Sequence, residues 1–214
     1  MKRALLSLGL AAVVATPAAA QWLGMPVWNS PKGGTGVSIA ADYGKPNDAY
    51  GAGYAFGGRA SLGIGTVTLT AGVSSYEVED IDTLRVTSWG GNAAFRLIGG
   101  SLLPFSLNLQ AGAVRTNAVE GQKQTHVIAA VGFSVPLPTP GISIEPYFAP
   151  GIRYRNLGPS NGSSTEFGYV FGANLSFGLL GAHVAYDNER KKGGGNVGVF
   201  GVGMHADFHL PLGM

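Results

Sequence analysis

The chain predicts an all-β fold: a closed, antiparallel, up-and-down transmembrane β-barrel of about ten strands, with eight as the alternative count. Three observations carry this. From residue 35 to residue 210, short segments alternate apolar and polar side chains with a period of two, as strands that bury one face do. The connections between these segments alternate strictly between short and long. Charged residues are sparse, yet no stretch beyond residue 20 has the 18 or so apolar residues a membrane helix needs. Alternating segments with one face in hydrocarbon persist only if every backbone group pairs with a neighbouring strand, and that requires closure.

Residues 1–20 have the three parts of a cleavable export signal. Lys2 and Arg3 form the basic start, Ala4 to Ala15 the apolar run, and Ala18-Ala19-Ala20 the small-residue cleavage site, with cleavage after Ala20. The expected organisation is this signal, an N-terminal segment over 21–34, a barrel over 35–210 and a tail over 211–214. Of 14 basic and 12 acidic residues, two bases leave with the signal. The remaining charge is balanced, so no nucleic-acid or polyanion partner is implied. Charged residues make up 12% of the chain, against about 25% in a typical soluble domain. Glycine supplies 35 of 214 residues, about twice its usual share. Cysteine is absent, so disulfides contribute nothing.

The predicted strands, in order, are 35–43, 50–62, 65–76, 84–98, 103–115, 124–136, 142–155, 165–178, 181–187 and 196–210. The fifth sets Phe105, Leu107, Leu109, Ala111 and Ala113 against Ser106, Asn108, Gln110 and Gly112. In the sixth, Val127, Ala129, Val131, Phe133 and Val135 oppose His126, Ile128, Ala130, Gly132 and Ser134. Along the eighth, Phe167, Tyr169, Phe171, Ala173, Leu175 and Phe177 alternate with glycines, Val170, Asn174 and Ser176. The last sets Phe200, Val202, Met204, Ala206, Phe208 and Leu210 against Gly201, Gly203, His205, Asp207 and His209. Glycine on the polar face suits a narrow interior where side chains crowd. The seventh carries Pro146 and Pro150, each of which removes a ladder donor. They call for a bulge or a frayed half-strand, or for a strand that starts later and a count of eight.

The tight connections fall at 63–64, 99–102, 137–141 and 179–180, and the long polar ones at 44–49, 77–83, 116–123, 156–164 and 188–195. Tyr43, Tyr50, Tyr76, Tyr154 and Tyr186 lie beside the long loops, whereas Phe95, Phe105, Phe177 and Phe208 lie near the short turns. Two aromatic belts at opposite ends are what interfacial rings form.

On this architecture, and on a last strand with Gly203, Ala206 and Phe208 in the places of an assembly signal, the chain resembles the small outer-membrane β-barrel proteins of Gram-negative bacteria. The resemblance spans the signal and nearly all of the remaining chain. It implies residence in the outer membrane, with short turns and both termini on the periplasmic side. It also implies contact with outer-membrane lipid and lipopolysaccharide, and handling by periplasmic chaperones and the barrel-assembly machinery. One departure is that residues 209–214 continue past the aromatic, where the family usually stops.

The alternation places Asp42, Arg59, Arg96, Glu145, Arg153, Arg155, Asp187 and Asp207 inward. Strand direction puts Arg59, Arg96, Glu145 and Asp207 in the periplasmic half and Asp42, Arg153, Arg155 and Asp187 in the outer half. Each layer mixes signs, whereas a selective pore lines its constriction with one. Mutually neutralised charges in a lumen that side chains roughly fill predict a plugged barrel. Other motifs dissolve on inspection. Gly51 to Gly57 lies within a strand, so it lacks the strand–turn–helix context of a nucleotide loop, and Lys191 to Gly195 lacks the P-loop pattern. His205, Asp207 and His209 share a face with His183 on the neighbouring strand, a set that could ligate a metal but reads more simply as polar lining. His126 has Thr125 beside it but Ile128 where a nucleophilic serine would help. The expectation is therefore no enzyme, no cofactor and no metal. The expected role is structural or interaction-mediating, through the loops at 77–83 and 156–164, with a narrow solute pore or a lipid-modifying enzyme as alternatives.

Overall fold

The computed structural model describes residues 30, 32–50, 53–78, 85–99, 103–117, 123–156, 162–190 and 195–209. Its ten barrel strands are β1 (Gly36–Pro46), β2 (Gly53–Ile64), β3 (Val67–Val78), β4 (Arg85–Ile98), β5 (Ser106–Asn117), β6 (Lys123–Ser134, resuming at Leu137–Thr139), β7 (Ile142–Asn156), β8 (Ser163–Phe177), β9 (Leu180–Arg190) and β10 (Asn196–His209). Each strand pairs antiparallel with its chain neighbours. β1 also pairs with β10 from Gly36↔His209 to Pro46↔Val199, so the sheet has no edge. Closure removes the unpaired backbone groups that hydrocarbon cannot solvate.

Polarity is inverted relative to a soluble domain. Phe56, Trp89, Ile152, Phe167 and Met204 point outward and are each more than half exposed. Arg153, Asp187, Glu189 and Asn108 point inward and are almost completely buried. Apolar side chains outside and charges inside are stable only when lipid surrounds the wall.

Both prolines are accommodated within ten strands, so the alternative of eight falls away. The Pro146 carbonyl accepts from the Val135 N–H at 3.1 Å, so this residue faces β6. Pro150, four residues on, faces the same way. The β6–β7 ladder lapses between Ala130↔Gly151 and Phe133↔Phe148, opposite Pro150, and then resumes in the same register. The β7–β8 ladder meanwhile runs unbroken from Ser143↔Ser176 to Asn156↔Ser163. The missing donors thus weaken one seam only.

Turn chemistry follows the sequence. β2–β3 turns at Gly65-Thr66 and β8–β9 at Gly178-Leu179, both glycines with positive φ (60° and 65°). Between β6 and β7, Pro140-Gly141 provides a fixed φ and then a φ of 80°, the pairing a type II turn uses. The aromatic belt needs one correction. Tyr76 points into the lumen and is 4% exposed, because it shares the inward face of β3 with Thr70 and Ser74. Tyr43, Tyr54 and Phe56 do cluster on the outside, with ring centroids 5.2 and 5.7 Å apart.

Candidate functional site

The lumen is where this sequence concentrates its chemistry, since period two sends every second residue of ten strands into one narrow space. Three groups of inward side chains occupy it.

The first lies near mid-barrel. Arg59 on β2 donates to Asp42 on β1 through Nε (2.8 Å) and Nη2 (2.6 Å), a bidentate pair buried on both sides. His183 on β9 reaches the same carboxylate, with Nε2 2.6 Å from Oδ1. His205 on β10 sits 3.3 Å from His183, Nδ1 to Nδ1, and its Nε2 lies 3.5 Å from Asp207. The expected division into halves therefore misplaces Asp42 and Arg59. They share one level because the register sets Ala40 opposite Arg59, so Asp42 lies diagonally one step away.

The second group fills the outer half. Arg153 Nη2 meets Asp187 Oδ1 at 3.2 Å, and Arg155 pairs with Glu189. Both arginines leave β7 and cross β8 to reach β9. They can do so because β8 carries Gly168 in their path, where a Cβ would come 2.8 Å from Arg153 Nε. Glu189 escaped the sequence reading. It lies in Asn188-Glu189-Arg190, which lacks an outward apolar residue, so the predicted strand stopped at 187 while β9 runs to Arg190. His126 is buried in the same region, within electrostatic reach of Arg155.

The third group lies at the periplasmic mouth. Glu145, buried, accepts from Ser30 Oγ (2.8 and 2.7 Å), the Lys32 N–H (3.2 Å), Ser134 Oγ (2.7 Å) and Asn174 Nδ2 (3.1 Å). Four donor groups solvate this carboxylate, and two of them come from the N-terminal segment. Arg96 holds the same segment from the other side, donating to the Lys32 carbonyl (2.7 Å) and to the Gly65 carbonyl (3.3 Å). Arg96 is thus a clamp on backbone carbonyls at the mouth, in place of the expected partner in a mixed-charge layer. A bulge between Arg96 and Ile98 marks the point where its strand leaves regular pairing. Beneath the strap lies a cavity of about 380 Å³, lined in part by Glu145, Asn174, His205 and Asp207.

At the opposite rim Glu77 accepts from Arg85 (2.7 Å) and from the Tyr54 hydroxyl (2.7 Å). Ser75 and Glu77 follow Val73 on the outward face of β3, so this trio stands beyond the apolar band. The Arg85 and Tyr54 hydrogen bonds hold the Glu77 carboxyl below its usual range.

Of the four residues expected as polar lining, His183 touches His205 and His205 touches Asp207, while His209 is exposed at the rim. Among the described residues no three or more His, Cys, Asp and Glu side chains converge as a metal cluster. Ala206 and Phe208 of the expected assembly signal face outward, and Gly203 faces inward beneath His183. The loop residues 79–84 and 157–161 and the tail 210–214 lie outside the described residues.

No protein-family model matches the chain, and no curated relative does. Among solved structures the β domain of the Bordetella autotransporter BrkA superposes with a TM-score of 0.56 at 13% identity, over 81% of this chain and all of that one. The outer-membrane enzyme PagL gives a TM-score of 0.46 at 14% identity, covering 79% of this chain and 98% of that one. Ail from Yersinia pestis gives 0.40 at 13% identity, covering 81% and 99%. By its fold, then, the chain is a β-barrel of the outer-membrane type. Within that class it is a closed ten-stranded antiparallel barrel whose lumen is lined by buried charged side chains.

Proposed function

We propose that this chain is exported, inserted into the bacterial outer membrane, and serves there without catalysis, as a structural or interaction-mediating barrel with a closed lumen. The observation that carries the reading is the set of ion pairs buried in the lumen, Asp42–Arg59, Arg153–Asp187 and Arg155–Glu189. Paired opposite charges fill space and attract no counter-ion, whereas a conducting path needs water or one sign along its walls. The N-terminal strap over Glu145 supports the same reading at the periplasmic mouth. Outer-membrane lipid is the expected partner of the apolar wall, and the outer loops are the surfaces for other partners. Planar-bilayer recording of the purified barrel tests this. The closed reading expects no steady single-channel openings, and regular unitary steps would overturn it. The 380 Å³ cavity favours a second reading, a narrow solute path gated by the strap. On that reading, openings emerge when Ser30 and Glu145 are both replaced by alanine.

A further inference from the structure

Strands β4, β5 and β6 contain no Asp or Glu, yet their outward faces carry three exposed cations, Arg85, Arg115 and Lys123. All three stand at the long-loop end. Toward the short turns the same faces present Phe95, Leu97, Leu109 and Phe133, each exposed. Arg85 is matched by Glu77, and the arginines buried in the lumen, Arg59, Arg153 and Arg155, each hold a carboxylate as well. Arg115 and Lys123 hold none among the described residues.

Register brings these two cations together. Arg115 lies opposite Thr125, and Lys123 precedes Thr125 by two residues, so the pair is diagonal across the β5–β6 seam. Diagonal neighbours have Cβ atoms about 7–8 Å apart, and both long side chains can reach one anion between them. Asn117, opposite Lys123, and Thr125 add neutral donors on the same exposed face. Trp89 stands opposite Arg115 on β4 and is more than half exposed, as indoles at a headgroup boundary are. One step toward the short turns, Gly91 opposite Ala113 keeps the wall low. Beyond them lies a groove of about 540 Å³. Its floor is Ala93, Ala111 and Ala129, side by side on the three strands, and its walls include Phe95, Leu109 and Ile152.

Cations above an apolar groove are the complement of an anionic lipid, and the spacing fits one molecule. From Arg115 to Ala111 the strand advances about 13 Å at roughly 3.4 Å per residue, or about 10 Å of depth at a tilt of about 35–45°. One leaflet supplies about 15 Å of hydrocarbon, half of a core about 30 Å thick. A head held at Arg115 and a chain held over Ala111 therefore belong to the same leaflet. Charge selects the head. A phosphodiester carries a single negative charge and leaves one cation unmatched, whereas a phosphomonoester carries about −1.5 to −2 at neutral pH and matches both. We propose that Arg115 and Lys123 bind the phosphomonoester headgroup of a lipid in the leaflet on the long-loop side, with one acyl chain lying in the groove over Ala111. The site rests on the reading that this wall faces lipid, and it is independent of whether the lumen is closed.

The test folds the full chain in phosphatidylcholine nanodiscs that also contain phosphatidic acid, a phosphomonoester lipid, or phosphatidylglycerol, a phosphodiester. Native mass spectrometry counts the lipid each chain retains. The expected result is one phosphatidic acid per chain, retained in preference to phosphatidylglycerol. Arg115→Gln and Lys123→Gln should each weaken retention about fivefold, and the two together about 25-fold, as loss of basic residues near a membrane surface does. Ala111→Phe, which fills the groove, should weaken it as well. Arg190→Gln removes an exposed cation at the same end of β9 and should leave retention unchanged. The proposal is overturned if the wild-type chain retains phosphatidic acid no better than phosphatidylglycerol. It is equally overturned if inorganic phosphate competes at the same concentration as the lipid, or if Arg190→Gln loses as much as Arg115→Gln. A chain that does not enter neutral nanodiscs refutes the membrane reading itself, whereas one that enters them without preferring phosphatidic acid refutes this site alone. The wild-type comparisons require no variant to fold.

Discussion

Asp187→Leu tests whether the lumen is dry. Arg153 and Asp187 have side chains 2% and 1% exposed, with Nη2 and Oδ1 3.2 Å apart. Their surroundings are the lumen wall of β7 to β9 and the second pair, Arg155–Glu189. If no water reaches them, Asp187→Leu strands a guanidinium in a low-dielectric space, and breaking a buried pair in this way costs about 3–5 kcal/mol. Replacing both partners, Arg153→Met with Asp187→Leu, removes the stranded charge and should restore most of that stability. If water fills the lumen, the same pair behaves as a surface ion pair and the single variant loses only about 0–1 kcal/mol. Urea unfolding of the barrel in phospholipid vesicles, followed by far-UV circular dichroism and by heat-modifiable gel migration, measures the difference. A single-variant loss below about 1 kcal/mol, or a double variant no better than the single, would refute the closed lumen and with it the reasoning behind the proposed function.

Other outcomes follow from particular contacts. Arg96→Ala removes its hold on the strap at Lys32 together with its anchor on the β2–β3 turn at Gly65. It should speed protease cleavage of the N-terminal segment while costing the barrel about 1–2 kcal/mol, and unchanged cleavage would mean that Arg96 is no clamp. Gly168→Ala places a Cβ 2.8 Å from Arg153 Nε and should destabilise by about 1–3 kcal/mol, read from the same urea midpoint. Pro150→Val returns a donor to the lapsed stretch of the β6–β7 ladder. It should stabilise by about 1 kcal/mol, with slower hydrogen exchange at that seam. The lowered Glu77 carboxyl makes its contribution at neutral pH, and that contribution is lost as pH falls through its folded-state value. An NMR titration should find Glu77 below an ordinary glutamate in the wild type and back in the usual range in Arg85→Ala.

The fold was legible because a half-lipid, half-lumen strand forces the choice of every second side chain. All ten strands overlap their expected ranges, and their ends move by no more than about three residues. Two of the larger misses share one cause. Strands in this barrel continue past the apolar band, and there both faces are polar, so alternation fades. That is why β1 runs on to Pro46 and β9 on to Arg190, and why Glu189 passed for loop. Tyr76 misled for a related reason, since proximity to a loop says nothing about which face a ring takes.

The sequence by itself determined that the chain closes into a membrane barrel and which residues line its lumen, because parity and polarity are local properties that any stretch of strand displays. Which of those residues meet was decided only by the tertiary structure. Register between strands far apart in sequence joins Asp42 to Arg59 and His183, lays His205 over Gly181, and carries Ser30 across 115 positions to Glu145. Partnership depends on the stagger with which ten strands close into a cylinder. That stagger is a collective property of the whole ladder and is encoded in no single segment.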